Sequence, residues 1–344
     1  GFTHQFTEYP DAEAMARALD TAERVGIRLI VSCPELKAEP EATVRRFMNH
    51  PATAGYFLRD EPSADYFAEL GAWAARIRAT DDAHYCYLNL FPNYAPCETL
   101  KTDSYREYVN RFDREVPLQL LSFDHYPVVG DTCRPEWYEN LEIFSDEARK
   151  AGKPFWAFAL ATAHEPYPIP DLAQLRLQVY SDLAYGAQGI QYFTYWTPEK
   201  NPTWDFHHAP VERSSGRRTD VYDKIKQMNA EIRALSGVFL GCEVVSVRHT
   251  GESIPRGTVR LTELPDGVKK LETTGAGAVV SELRNGNNRF IVIVNRDFKN
   301  SMTLQIELDE TASRILKDGS VVPASIYHET MVVEPGDAMI YMFK

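Results

Sequence analysis

Gly55-Tyr56-Phe57-Leu58-Arg59-Asp60-Glu61-Pro62, with Ser63 just beyond, is the stretch on which the fold of this chain turns. The apolar run Tyr56 to Leu58 reads as a buried strand. It ends in two adjacent carboxylates, Asp60 and Glu61, and Pro62-Ser63 opens a helix with Ser63 as the expected N-cap. Apolar residues in that helix recur at Phe67, Leu70, Trp73, Ala74 and Ile77, a period of about 3.6 residues. Carboxylates at the C-terminal end of a buried strand, next to a helix start, are where α/β barrels keep their chemistry. Alone, the pair is equally explained as an acidic turn, with Glu61 favoured near a helix N-terminus by the macrodipole.

Working outward, the same pattern recurs. Phe2 to Phe6, Ile27 to Cys33, His84 to Leu90, Leu118 to Phe123, Pro154 to Leu160 and Ile190 to Tyr195 are strand-like runs. Helical stretches follow them at Ala12 to Val25, Pro40 to Met48, Asp103 to Arg114, Pro135 to Ala151, Leu172 to Tyr185 and Asp220 to Leu235. Strands alternating with helices predict a parallel sheet with crossover helices, and the near-continuous apolar runs predict strands covered on both faces. No GxGxxG or GxxxxGK[ST] follows any strand, so a nucleotide-binding sheet is disfavoured. The expectation is α/β: a (β/α)8 TIM barrel over residues 1–236. Seven βα units are countable, and the first barrel strand is expected upstream of Gly1. After Gly237 helical periodicity gives way to short alternating runs with turn signals, such as Asn285-Gly286-Asn287-Asn288. Residues 237–344 are expected to form a small antiparallel β-sandwich, an accessory domain without clustered catalytic residue types.

Composition narrows the function. The net charge of −12 over 344 residues argues against nucleic-acid binding. No apolar run is long enough to span a membrane. No export signal is visible, and a cleaved one is compatible with the start at Gly1; a periplasmic or secreted location is the expectation. The five cysteines show no CxxC spacing, so zinc or redox motifs are disfavoured. Pairing of Cys97 with Cys133 is conceivable in an oxidising compartment, but free thiols are the favoured reading. Eighteen Tyr, seventeen Phe and five Trp supply core area and, at strand ends, surfaces on which sugar rings stack.

The strand ends carry a constellation: His4 and Gln5, Glu35, Asp60 and Glu61, Asn89 and Asn93, then Asp124, His125 and Tyr126, His164 and Glu165, Tyr195 and Trp196. Parallel strands would open all these ends on one barrel face. The chemistry such a face suggests is glycoside hydrolysis, which needs one carboxylic acid to protonate the leaving oxygen and a second carboxylate as nucleophile or base. Glu61 is the acid candidate, with Asp60 as a neighbouring anion that would raise its pKa. The second carboxylate is Asp124 or Glu165. His4, Asp60, Asn89, His125, Tyr126, His164, Tyr195 and Trp196 are the candidate substrate contacts. No metal and no organic cofactor is expected; a metal site built on His4, His125 and His164 is the weakest reading, since these histidines lack close ligand spacing.

The run ending Arg59-Asp60-Glu61-Pro62 resembles the Asn-Glu-Pro motif closing the fourth strand in the clan of retaining (β/α)8 glycoside hydrolases that includes β-galactosidases and cellulases. Ile190-Gln-Tyr-Phe-Thr-Tyr-Trp196 resembles that clan's eighth strand, whose Trp floors the sugar site. A barrel followed by a β-sandwich is also common there, and the nearest resemblance is to β-galactosidase-like hydrolases of Bacteroides-type bacteria. The resemblance implies that Glu61 is the general acid/base. Two departures stand out. Asp60 replaces the motif's Asn, and Phe155 to Ala163, where the family places its nucleophilic Glu, holds no carboxylate before Glu165. The alternative is therefore a carbohydrate-binding barrel that has lost its nucleophile. Sugar identity, anomer and stereochemical course stay open.

Overall fold

The computed structural model describes residues 1–309, 312–325 and 327–344. Two compact units divide the chain: residues 1–124 with 146–155, and residues 125–145 with 156–344.

The first unit alternates β1 (His4–Gln5), α1 (Ala12–Val25), β2 (Arg28–Val31), α2 (Pro40–Phe47), β3 (Thr53–Asp60), α3 (Phe67–Thr80), β4 (Tyr85–Asn89), α4 (Tyr105–Glu115) and β5 (Leu121–Phe123). Strands β1 to β4 pair in sequence order, all parallel, and a parallel bridge from Leu90 to Phe123 carries the order to β5. Helix α1 shows why these segments fold as they do. Asp11 accepts the Ala14 N–H at 2.7 Å, and Gly26 ends the helix at φ 73, a conformation that favours glycine. Met15, Leu19 and Ala22 make the buried stripe between these caps. Gly55 on β3 is required by close approach, because a Cβ there would lie 2.4 Å from the Tyr85 carbonyl oxygen on β4.

Helix α5 (Trp137–Ala151) contributes residues to both units. The second unit continues with β6 (Phe155–Leu160), α6 (Leu172–Ala184), β7 (Gly189–Phe193) and α7 (Asp220–Ala234), and β6 pairs with β7 in parallel from Trp156↔Gly189 to Leu160↔Phe193. Besides the seven strands β1 to β7, Val128–Val129 and Thr132–Cys133 pair as a short antiparallel hairpin. The sheet-rich remainder holds β8 (Glu243–His249), β9 (Val268–Thr273), β10 (Ala278–Asn285), β11 (Asn288–Asn295), β12 (Met302–Leu308), β13 (Ser313–Ile315), β14 (Val321–Pro323), β15 (Glu329–Val333) and β16 (Ala338–Phe343). They form a six-stranded sheet, β8-β10-β11-β16-β13-β14, and a three-stranded sheet, β9-β12-β15, with antiparallel pairings. Val280, Ile291 and Ile293 from the first sheet share a buried core with Leu271, Leu304 and Ile306 from the second. Asn285 pairs with Asn288 across Gly286-Asn287, with Gly286 at φ 58, as the turn signal predicts.

Several boundaries differ from expectation. Strand β1 is two residues rather than five, and β7 stops at Phe193, leaving Tyr195 and Trp196 in the loop beyond it. Ser63 is not the N-cap of α3: it precedes a single 3-10 turn (Ala64–Tyr66) and makes no side-chain capping bond. Trp73, predicted on the buried stripe of α3, is half-buried, with its Nε1–H donating to the Leu36 carbonyl at 3.1 Å. All five cysteines are free thiols, Cys97 and Cys133 included. No helix among the described residues is long and apolar enough to cross a membrane.

Candidate active site

The C-terminal ends of β3, β4 and β5 bring four of the predicted residues together: Asp60, Glu61, Asn89 and Asp124. Strand β3 is set for this by a register shift. Phe57 pairs with Tyr87, but Asp60 pairs with Asn89, so three residues on β3 span two on β4. Such a bulge re-aims the side chains beyond it. Glu61 follows at φ 42, a left-handed backbone that a non-glycine residue adopts only when its surroundings impose it. Its N–H is held by the Asn89 carbonyl at 2.9 Å.

Asn89 is the hub. It is almost fully buried, and its Nδ2 donates to Asp124 Oδ1 at 2.7 Å and to Asp60 Oδ1 at 3.3 Å. Its Oδ1 accepts from Ser122 Oγ at 2.9 Å, and with that proton committed, the Tyr87 hydroxyl donates to Ser122 at 3.2 Å. Glu61 and Asp124 are hydrogen-bonded to each other. Burial pushes the Glu61 pKa well up, and the charges of Asp124 and Asp60 push it further. Asp124 is raised too, by burial and then by Asp60, while the hydrogen bonds from Asn89 and Glu61 oppose the shift. Asp60, the most exposed of the three, is raised by the low-dielectric setting of its carboxyl and by Glu8, again opposed by Asn89. Glu61 and Asp124 thus share a proton near neutral pH, with Glu61 its principal owner. A carboxylic acid kept protonated at a strand end can serve as a general acid.

The other first-unit candidate, His4, is half-buried on β1. Its Nδ1 hydrogen-bonds Thr3 Oγ1 at 2.9 Å, and burial, then Arg28, lowers its pKa. Glu35 has a structural task instead: its Oε1 accepts the Ala12 N–H at 3.1 Å at the start of α1, which lowers its pKa.

The second unit holds the rest. His125 is 1% exposed and held neutral, its pKa lowered to about 3 by burial and by Arg134. Tyr126 is also buried, its ring 6.0 Å from those of Tyr167 and Phe193. His164 is buried in a nest of rings, with Tyr167 and Phe206 centroids at 4.7 Å and Trp204 at 5.4 Å, and burial lowers its pKa. Glu165 is exposed, its backbone N–H donating to Asp205 Oδ1 at 2.9 Å. Tyr195 and Trp196 lie edge to face at 5.6 Å and are exposed, as is Trp204. Trp204 and Phe206 lie in the aromatic-dense stretch Tyr192 to Phe206, the signal in the sequence that points to them; Tyr167 carries no such signal. The described residues contain no group of three or more His, Cys, Asp or Glu placed to hold a metal ion.

Residues 85–235 match the family model described as beta-galactosidase, the glycosyl hydrolase 42 family. Over that segment the chain is similar to that family. The match takes in Asn89, Asp124, His164, Glu165 and Trp196 and begins after the strand that carries Glu61. Among solved structures, a catalytic mutant of a GH42 β-galactosidase from G. stearothermophilus superposes with TM-score 0.61 at 8% identity, covering 99% of this chain and 93% of that one. A β-galactosidase from the psychrophilic Marinomonas ef1 gives TM-score 0.50 at 11% identity, covering 69% of this chain. The chain spans only 56% of that enzyme. At these identities the likeness establishes a shared fold with glycoside hydrolases. No curated protein matches the sequence.

Proposed function

We propose that this protein is a glycoside hydrolase that cleaves a β-galactoside-type bond at the end of an oligosaccharide or glycan. In this reading residues 1–236 form a barrel of the (β/α)8 type that carries the catalysis, and residues 237–344 form an accessory β-sandwich. The observation that carries the reading is the Asp60–Glu61–Asn89–Asp124 cluster, in which Glu61 is kept protonated at a strand end.

Glu61 gives its proton to the glycosidic oxygen as the bond from that oxygen to the anomeric carbon breaks. A second carboxylate, Glu165 or Asp124, attacks the anomeric carbon or activates the water that does so. Water finally supplies the hydroxyl on the sugar and returns the proton to Glu61. Tyr195 and Trp196 offer exposed ring faces for sugar stacking, and Trp204 joins them as a candidate. His4, His125, Tyr126 and His164 shape and orient the site. Tyr126 and the two second-unit histidines are buried. Periplasmic or secreted action on glycans in a Bacteroides-type bacterium fits the resemblance of the sequence.

The test is hydrolysis of a panel of aryl α- and β-glycosides by wild type and Glu61→Gln, with folding of both checked by circular dichroism. Cleavage of a β-galactoside by wild type, lost in the variant, is expected. Equal rates would overturn the assignment of Glu61. A second reading, a carbohydrate-binding protein without catalysis, draws on the lack of any carboxylate between Phe155 and Glu165. It predicts thermal stabilisation by galactose without cleavage.

A further inference from the structure

Two carboxylates that carry out glycoside hydrolysis stand apart, about 5–5.5 Å for retention and roughly 6.5–9.5 Å for inversion, because the sugar or a water must lie between them. Asp124 is not placed that way: it is hydrogen-bonded to Glu61 directly. Nor is it free to swing aside. Its Oδ1 is held by Asn89 Nδ2 at 2.7 Å, and the same nitrogen reaches Asp60 Oδ1 at 3.3 Å. Asn89 cannot rotate without losing Ser122, which donates to its Oδ1 at 2.9 Å. The Asn89 carbonyl meanwhile holds the Glu61 N–H at 2.9 Å, so one residue fixes the backbone of the acid and the carboxylate of its partner.

We propose that Asp124 is the proton-sharing partner of Glu61, clamped in that role by Asn89, and not the carboxylate that attacks the anomeric carbon. Asp124 and Asn89 are then positioning residues. The inference rests on the hydrolase reading only for its consequence in catalysis, which leaves Glu165 as the second carboxylate; the proton sharing rests on the interaction of the two carboxyls and on the Asn89 clamp that fixes them. The arrangement has a simple logic. A carboxylate that accepts a hydrogen bond from the acid holds the acid's proton in place, and its negative charge discourages ionisation of the acid. Asn89 counterbalances this by offering N–H to Asp124, so the single negative charge of the pair rests on Asp124 and the proton on Glu61. The other titratable groups facing the pair are Asp60, the Tyr108 hydroxyl from α4, whose own pKa is raised by burial and by these carboxylates, and Glu8, which acts on Asp60. None of them can carry a positive charge, so none competes to neutralise Asp124.

The experiment is a carboxyl 13C NMR titration of the full chain labelled at Glu and Asp, comparing wild type with Asp124→Asn and Asn89→Leu, Glu61→Gln serving to assign the resonance. In wild type Glu61 titrates above neutral pH. In Asp124→Asn its midpoint falls by at least one pH unit, because the repelling charge is gone and an amide N–H can donate to the Glu61 carboxylate. In Asn89→Leu the Asp124 step moves upward, since its anion has lost a donor. An unchanged Glu61 midpoint in Asp124→Asn overturns the proposal, whether or not Asn89→Leu folds. The catalytic half is read with Asp124→Ala in the presence of azide: a glycosyl azide would identify Asp124 as the nucleophile and overturn the assignment. If no glycoside is ever cleaved while the Glu61 midpoint still falls, the proton-sharing pair stands and the hydrolase reading falls.

Discussion

Two groups of carboxylates among the described residues are built on opposite principles. In the second unit, Glu231 on α7 receives Arg176 Nη2 at 2.7 Å, the Tyr180 hydroxyl at 2.7 Å and Gln227 Nε2 at 2.9 Å. Burial alone would raise its pKa, but these donors together hold it below the usual carboxylate range. Arg176 also reaches Asp337, which Lys317 contacts as well, so the ion network ties α6 and α7 to the turn before β16. In the first unit, Glu61 and Asp124 are hydrogen-bonded to each other, the neutral Asn89 amide rather than a cation donates to Asp124 and Asp60, and all three pKa values rise. Matched charges make a structural staple. Mismatched ones store a proton, at a cost in stability.

The comparison breaks most visibly at Glu61. On the proposed reading, Glu61→Gln should slow hydrolysis of poorly activated glycosides by about 10²–10⁴-fold, measured as kcat/KM, while the fold persists. Arg176→Met should cost about 3–5 kcal/mol, because Glu231 and Asp337 would lose a buried cation; the urea midpoint at pH 7 checks this. Glu61→Gln should have the reverse effect on stability, a gain on the order of 1–2 kcal/mol at pH 8, again read from urea midpoints.

The pH dependence follows from the directions of the shifts. Glu61 and Asp124 have raised folded-state pKa values, so the stability linked to them is complete below the ordinary carboxylate range and is lost as pH rises toward the folded values. The advantage of Glu61→Gln should therefore vanish near pH 4. Glu231 has the opposite sign: its contribution is present above the ordinary carboxylate pKa and is lost as pH falls. Arg176→Met should accordingly cost less at pH 3 than at pH 7. The smallest effect sharpens the same point. Lys299 and Asp131 form an ion pair at 3.0 Å with side chains 43% and 84% exposed. Asp131→Asn should leave the urea midpoint unchanged, since matched charges count only when water is excluded.

Much of this architecture is legible in the sequence. The alternation of apolar runs and amphipathic helices carries over because period, caps and glycine stops act locally; Asp11 and Gly26 bound α1 where the sequence predicts. The Asn285 to Asn288 turn is legible for the same reason. The site is only half legible. The Asp60-Glu61 pair is visible, but its meeting with Asn89 and Asp124 depends on the β3 bulge, a register shift that no local preference encodes. Glu35 looks like a site residue and is a helix-capping group, because a loop carboxylate finds the nearest unpaired N–H. His125 follows a strand end yet is buried, since position along a strand does not reveal which way the chain turns after it. Ser63 is a residue type that caps helices, but the intervening 3-10 turn moves the start of α3 to Phe67.

The central claim is that Glu61 is a protonated acid. It is tested most directly by comparing wild type and Glu61→Gln on two β-galactosides, one with a dinitrophenolate leaving group and one with an unactivated alkoxide. An acid is needed only where the leaving oxygen is basic. The claim predicts a large loss of kcat/KM on the alkyl substrate and a far smaller one on the dinitrophenyl substrate. Equal losses on both, or none on either, would contradict it.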